Sequence, residues 1–172
     1  MTNTFTIRTA TPSDFAILPA LELNAAAAFA ALDMTDIASL PPIGEQDYVT
    51  HQNSQHVLLA EMDERRVIGF CILREMDGQG YFRELGVAID HAGQGVGRRL
   101  LDAAVQWARA SSYDYLLLTT FEHVPFNAPF YERYGFVRLQ PGDPFPALAR
   151  QLRSERDGIL GNYARVAMRY HL

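Results

Sequence analysis

Apolar and polar positions along the chain follow two periods, and these divide it into strands and helices. Alternating or continuous apolar runs predict strands at residues 5–8, 57–60, 67–73, 81–89, 115–119, 136–139 and 164–170. Helical spacing predicts four helices, which begin at Thr11 or Ser13 and extend through Ala25, cover residues 45–52, follow the glycines of residues 93–97 as far as Ala108, and cover residues 126–134.

The order of these elements predicts the fold class. One strand and two helices precede three antiparallel strands, and then come a helix, a strand, a helix and two strands. This order is typical of an α/β protein with a mixed, mostly antiparallel sheet of about seven strands flanked by about four helices. We expect one domain over residues 1–172, with residues 141–161 unassigned because three prolines interrupt any period.

Composition narrows the class of protein. The net charge of −5 and the pI near 5.5 argue against a nucleic-acid partner, which requires a basic face. The longest apolar stretch, residues 21–32, is interrupted by Glu22 and Asn24 and is too short to cross a membrane. We expect no secretory signal at the N-terminus, and the single cysteine, Cys71, suits a reducing compartment. We therefore expect a cytoplasmic protein with no membrane partner.

A glycine-rich segment, Gly93-Gln94-Gly95-Val96-Gly97, stands directly before a helix. Unpaired N–H groups and the helix dipole make such a place suitable for a phosphate. Arg98 and Arg99 stand where a Walker A loop needs lysine and serine or threonine, so that loop is excluded. A dinucleotide fingerprint is disfavoured by the antiparallel strands upstream, and an ordinary strand-to-helix turn is the structural alternative.

Three short motifs in a fixed order carry a resemblance to a known family. They are Glu84-Leu85-Gly86-Val87, Gly95-Val96-Gly97-Arg98-Arg99-Leu100-Leu101 and Phe130-Tyr131-Glu132-Arg133-Tyr134-Gly135-Phe136. Together with the element order from Phe5 to Tyr170, they resemble the GCN5-related N-acetyltransferase (GNAT) superfamily. The resemblance implies acetyl-CoA as cosubstrate, with its diphosphate on the main chain of the glycine loop.

The resemblance also implies which residues contact the coenzyme. The predicted coenzyme-binding residues are Val87, Ile89, Gln94, Gly95, Val96, Gly97, Arg98, Arg99, Asn127 and Tyr131. Two positions depart from the family pattern. Its usual arginine or glutamine falls at Ala92, and its Asn-x-x-Ala pair falls at Val124 and Asn127. We therefore expect the main chain, with Arg98 or Arg99, to hold the phosphates.

The resemblance implies direct transfer of an acetyl group to a primary amine of a small molecule or peptide. Glu84 is the predicted base and Tyr131 the predicted acid, because the transfer must remove a proton from the amine and supply one to the leaving thiolate. The structural alternatives are a strand salt bridge for Glu84 and aromatic packing for Tyr131. Cys71 is expected in the core, and the five histidines show no spacing that predicts a metal site.

The acceptor is the part of the function that the sequence defines least. The resemblance places it against residues 29–52 and 121–126, and several carboxylates there indicate a cationic amine or simply a solvated face. They are Asp33, Asp36, Glu45, Asp47 and Glu122. A non-catalytic acyl-CoA-binding module and a protein-modifying module stay open as alternatives, and so does a homodimer.

Overall fold

The computed structural model describes residues 4–172, apart from the side chain of Glu64. The strands are β1 (Phe5–Thr9), β2 (His56–Met62), β3 (Val67–Met76), β4 (Gln79–Val87), β5 (Tyr115–Phe121), β6 (Val137–Arg138) and β7 (Arg165–His171). The helices are α1 (Leu18–Ala30), α2 (Thr35–Ala38), α3 (Glu45–His51), α4 (Val96–Ala110), α5 (Ala128–Tyr134) and α6 (Pro146–Asp157). Short 3₁₀ turns occupy Pro12–Ile17, Asp63–Arg65, Ile89–His91 and Ile159–Asn162.

The strands form a seven-stranded sheet in the order β1-β2-β3-β4-β5-β7-β6. Neighbours pair antiparallel at β1–β2, β2–β3, β5–β7 and β6–β7, whereas β4 and β5 run parallel with Gly80 opposite Leu116. The predicted α/β class and mostly antiparallel sheet are confirmed. The described residues contain six helices, whereas the sequence predicted about four. The two additional helices are α2 and α6.

The chain forms two compact units. The first contains the described residues up to Arg74 and Glu84–Gln106, and the second contains Glu75–Arg83 and Trp107–Leu172. In the first unit, one face of β2 and β3 packs on the opening helical segments, and the buried residues of this cluster are Phe15, Leu18, Tyr48, Val57, Leu59, Phe70 and Ile72. In the second unit, α6 packs on β5 and β7, and the buried residues of that cluster are Tyr81, Leu117, Phe145, Leu148 and Ala167.

An ion cluster fixes the first helical segment to the edge of the sheet. The Asp14 carboxylate accepts hydrogen bonds from the main-chain N–H of Thr11 at 2.7 Å and from the guanidinium of Arg8 at 2.8 Å. Arg8 also contacts Glu61 on the neighbouring strand β2. The hydrogen bond from Arg8 holds the pKa of Asp14 well below its ordinary value, so the carboxylate stays ionised in the fold except in strong acid.

Helix α6 is held by residues from other elements at both ends. The main-chain N–H groups of Ala147 and Leu148 donate to the two carboxylate oxygens of Asp77, each at 2.9 Å. Near the other end, the Glu155 carboxylate accepts hydrogen bonds from Arg165 at 3.0 Å and from Thr119 at 2.9 Å. Since Arg165 and Glu155 are 7% and 11% exposed, this ion pair is shielded from water.

Candidate functional site

The end of β4 presents Glu84 and Val87 on different faces of the strand. A Cβ added to Gly86 would lie 2.4 Å from the ring of Phe70, and a Cβ added to Gly97 would lie 3.7 Å from the side chains of Leu85 and Val87. Leu85 and Val87 therefore face the start of α4, whereas Gly86 faces the core around Phe70. By strand alternation, half-buried Glu84 lies on the Gly86 side.

A single 3₁₀ turn, Ile89–His91, joins β4 to the glycine loop. The N–H of Ile89 donates to Oδ1 of Asn24 at 2.9 Å, and its carbonyl accepts from Ala92 at 3.2 Å. His91 is 8% exposed, and its buried Nδ1 has no hydrogen-bond partner within the described part of the chain. Sequence reasoning missed Asn24, because nothing local to α1 indicates a contact with a residue 65 positions away.

The glycine loop is open toward its surroundings. Gly93 and Gly95 have φ of +74° and +83°, a left-handed conformation that side chains other than glycine rarely adopt. A Cβ added to either glycine would meet no atom of the described residues within 4 Å. The first helical hydrogen bond of α4 joins the N–H of Arg99 to the carbonyl of Gly95 at 3.1 Å, so the N–H groups of Val96 and Gly97 precede it. These donors and the empty space beside the loop together suit an anion.

The two arginines after the loop have different surroundings. The guanidinium of Arg99 lies 4.5 Å over the ring of Phe5 and donates to the Phe5 carbonyl at 2.8 Å, so β1 holds this side chain. The side chain of Arg98 is 59% exposed and lies 3.4 Å from the carboxylate of Asp102 one turn along α4. Such an exposed pair is weak. Of the two predicted anion ligands, Arg98 is therefore the one with a side chain able to turn to a ligand.

Asn127 lies in the second unit, at the position that precedes the first residue of α5. Asparagine is a common residue at such a cap position, but among the described residues the Asn127 side chain makes no capping hydrogen bond. Instead its Nδ2 donates to the Thr120 hydroxyl at 2.8 Å. Its Oδ1 is buried and has no hydrogen-bond donor among the described residues. A buried acceptor without a donor is costly, so this oxygen is a candidate ligand contact.

Tyr131 is held rigidly in α5. Its ring is 5% exposed and packs edge-on against Phe82, Phe130 and Phe136 with ring centroids 5.2–6.1 Å apart. Its carbonyl accepts from the N–H groups of Gly135 and Phe136 at 3.1 and 3.0 Å, which closes the end of the helix. Aromatic packing and the helix end therefore fix the position of the ring.

The structure thus groups the predicted residues in two sets. The first unit brings together Glu84, Val87, Ile89 and the segment from Gln94 to Arg99, and the second brings together Asn127 and Tyr131. Cys71 is fully buried, and burial raises the pKa of its thiol far above the ordinary value, which disfavours a thiolate nucleophile.

Among residues 4–172, no three or more histidine, cysteine, aspartate or glutamate side chains come together as metal ligands would. No helix in the described part combines the length and the apolar composition that a bilayer span requires.

Comparison with known proteins adds a family and a fold. The family model of the acetyltransferase (GNAT) domain matches residues 53–138, which is half of the chain. This match includes the end of β4, the glycine loop and α5.

Solved structures extend the likeness in fold to nearly the whole chain. A GNAT-family acetyltransferase from Staphylococcus aureus Mu50 is 17% identical with a TM-score of 0.72, over 98% of this chain and 99% of that one. The ribosomal-protein-S18-alanine N-acetyltransferase from Escherichia coli is 16% identical with a TM-score of 0.69, over 98% and 94%. The PaiA N-acetyltransferase from Thermoplasma acidophilum, in complex with coenzyme A, is 14% identical with a TM-score of 0.67, over 98% and 99%.

Proposed function

The chain belongs to the GNAT family of acetyltransferases, and from that premise we propose that it transfers an acetyl group from acetyl-CoA directly to a primary amine of a small molecule or peptide. We propose further that residues 1–172 form one N-acetyltransferase domain. The observation that carries the proposal is the open glycine loop at the start of α4. Its left-handed glycines, the donors of Val96 and Gly97 and the exposed Arg98 suit a diphosphate.

The residues present fit acetyl-CoA as a cosubstrate. The main chain from Gln94 to Arg99 would hold the diphosphate, and Val87 and Ile89 would line the path of the pantetheine. In the second unit, the Oδ1 of Asn127, which has no donor within the described part of the chain, would accept a hydrogen bond from an amide N–H of the coenzyme. When bound, acetyl-CoA supplies an acetyl group activated as a thioester.

Two side chains of the protein would accept and donate the protons that the transfer requires. An amine must be neutral to attack a carbonyl, and Glu84 would accept its proton on a carboxylate oxygen. Tyr131 would hold a proton on Oη and donate it to the departing sulfur. Its fixed ring supports this role, since proton transfer requires a donor held in one place. The fully buried Cys71 takes no part, consistent with direct transfer rather than a covalent enzyme intermediate.

The acceptor in this proposal is a cationic amine. The first unit supplies four carboxylates from the segment between α1 and β2, namely Asp33, Asp36, Glu45 and Asp47, which would attract a positive charge. Because the E. coli relative is an alanine N-acetyltransferase of a ribosomal protein, a peptide N-terminus is included in the proposed range.

A transfer assay tests the proposal. Thiol release from acetyl-CoA is measured with polyamines, amino acids, aminoglycosides and peptides that have free N-termini, and each product is identified by mass. We expect release that depends on one of these amines. The chain contains no lysine, so acetyl-lysine in a peptide product cannot come from the enzyme itself. Binding of acetyl-CoA without amine-dependent release from any acceptor would instead favour a non-catalytic acyl-CoA-binding module.

Glu84→Gln separates the proposed base from a salt-bridge role. With a high-pKa amine as acceptor, the rate of the native enzyme should fall at low pH as Glu84 is protonated. The variant should be slower, and its rate should rise with pH only as the amine itself loses its proton. An unchanged pH profile in Glu84→Gln would remove the base assignment while leaving acetyl transfer intact.

A further inference from the structure

Helix α1 is almost entirely apolar, yet it lies largely at the surface. Its thirteen residues, LPALELNAAAAFA, include two polar side chains, Glu22 and Asn24, and Leu18 is its buried residue. An amphipathic surface helix would carry its polar residues on a solvent-facing stripe. Here each polar side chain instead accepts a hydrogen bond from the main chain of a distant segment.

Asn24 holds the turn that leads to the glycine loop. Its Oδ1 accepts from the N–H of Ile89 at 2.9 Å. Ile89 is the first residue of the 3₁₀ turn, and the first N–H groups of a helical turn have no partner within it. The side chain of α1 therefore satisfies a donor that the turn cannot satisfy, and it fixes where the chain leaves β4.

Glu22 holds a different segment. Its Oε2 accepts from the N–H of Ile43 at 3.0 Å. Ile43 packs against the core cluster of the first unit and immediately precedes Gly44, the residue before α3. This segment lies in the region to which the proposed acceptor is assigned.

The two polar residues point in different directions. Residues two positions apart on an α-helix are separated by about 200° around its axis, so Glu22 and Asn24 leave nearly opposite sides of α1. Helix α1 thereby contacts both the 3₁₀ turn at Ile89 and the segment at Ile43.

We propose that α1 is a brace in which Asn24 positions the turn at Ile89 for acetyl-CoA and Glu22 positions the segment at Ile43 for the amine. Both are positioning residues, and this inference rests on the proposed acetyl transfer. Each should affect one substrate. Loss of the Asn24 oxygen weakens acetyl-CoA binding, and loss of the Glu22 oxygen raises the KM of the amine.

A double-mutant cycle tests the Asn24 arm. Asn24→Leu removes the acceptor, and Ile89→Pro removes the donor. Proline suits this site, because Ile89 is the first residue of its turn and Ala88 has φ −52° and ψ 134°, outside the helical region that a following proline disfavours. We expect Asn24→Leu to raise the Kd of acetyl-CoA about threefold to tenfold, the range of one net hydrogen bond. When Ile89→Pro is already present, adding Asn24→Leu should cause no further change in the Kd of acetyl-CoA.

Glu22 is tested by a pair of variants that separate its charge from its oxygen. Glu22→Leu removes the acceptor, whereas Glu22→Gln keeps a carbonyl oxygen without the charge. We expect Glu22→Leu to raise the amine KM about threefold to tenfold with the acetyl-CoA Kd unchanged, and Glu22→Gln to restore most of the native value. Ala27→Ser, at an exposed position of the same helix, is the matched control and should change neither constant.

The outcomes distinguish failure of the proposed positioning by α1 from failure of the proposed acetyl transfer. Native enzyme that neither binds acetyl-CoA nor transfers acetyl overturns the proposed function, and the brace with it. Native enzyme that does both, with an Asn24→Leu variant of unchanged Kd or a Glu22→Leu variant of unchanged amine KM, overturns the brace alone. The melting temperature is not the readout, since leucine favours helix more than asparagine and would mask a lost hydrogen bond.

Discussion

Gly97→Val is the substitution that best separates the glycine loop's fit to the coenzyme from its role in the fold. Unlike Gly95, Gly97 has no left-handed φ, so a side chain causes no backbone strain there. Its Cβ would lie 3.7 Å from Leu85 and Val87, an ordinary van der Waals distance. Helix propensity changes by at most about 1 kcal/mol, which is about 2–4 °C in the melting temperature of a domain of this size.

The effect on the ligand should be larger. If the coenzyme diphosphate lies against the N–H groups of Val96 and Gly97, the branched side chain at position 97 enters the space that the anion needs. We expect Kd to rise more than tenfold, or about 1.4 kcal/mol. At an acetyl-CoA concentration of 100 times the native Kd, stabilisation by the ligand should fall from about 2.7 to about 1.4 kcal/mol or less.

Thermal melts with and without acetyl-CoA measure both effects in one experiment. Gly97→Ala is the graded control, since a single methyl group should cost less affinity than two branches. Gly95→Ala should also lower the melting temperature of the free protein, because alanine at φ +83° costs about 1–2 kcal/mol. A Gly97→Val protein with native affinity for acetyl-CoA would refute the placement of the diphosphate on this loop.

Three further outcomes follow. Tyr131→Phe keeps the packed ring and removes the phenolic proton, so kcat should fall about 10²-fold with little change in Kd or melting temperature, and native turnover would remove the acid assignment. Arg165→Met leaves the Glu155 carboxylate buried without its cation, so unfolding should become easier by about 3–5 kcal/mol in thermal or urea melts, and Glu155→Gln in the same protein should restore part of the loss. Asp14→Asn should destabilise the fold by about 1 kcal/mol at neutral pH. Because Arg8 depresses the folded pKa of Asp14, this gap should persist above the unfolded carboxyl pKa of about 3.9 and close as pH falls below it, and a gap independent of pH would contradict the ion-pair explanation.

Elements with a local signal were predictable. The capping interaction of Thr11 and Asp14, the glycines before α4 and the Gly135 that ends α5 all act within a few residues of the element they limit. Such signals are visible in a sequence because the residue and its partner are neighbours. The fold class follows from such signals, whereas the candidate site residues were predicted from the resemblance to the GNAT superfamily.

Helix α6, which sequence reasoning missed, depends on distant partners. Helix α6 begins at Pro146, but the side chain that satisfies its first N–H groups is Asp77, about 70 positions earlier. Near its other end it is tied to Arg165 on β7. The role of Asn24 was hidden for the same reason, since its partner Ile89 lies in another element. The Asn127 side chain is likewise oriented by a tertiary contact, because it donates to Thr120 rather than capping its own helix.

The central claim is that the N-terminus of α4 holds the diphosphate of acetyl-CoA, and amide NMR of the isotope-labelled protein tests it most directly. Titration with acetyl-CoA should shift the amide resonances of Gly95, Val96 and Gly97 along one saturable curve, because their N–H groups gain an anionic acceptor. A nicotinamide dinucleotide, which also carries a diphosphate, is the control and should bind much more weakly. Saturation by acetyl-CoA with these three amides unmoved, or equal binding of the dinucleotide, would contradict the account.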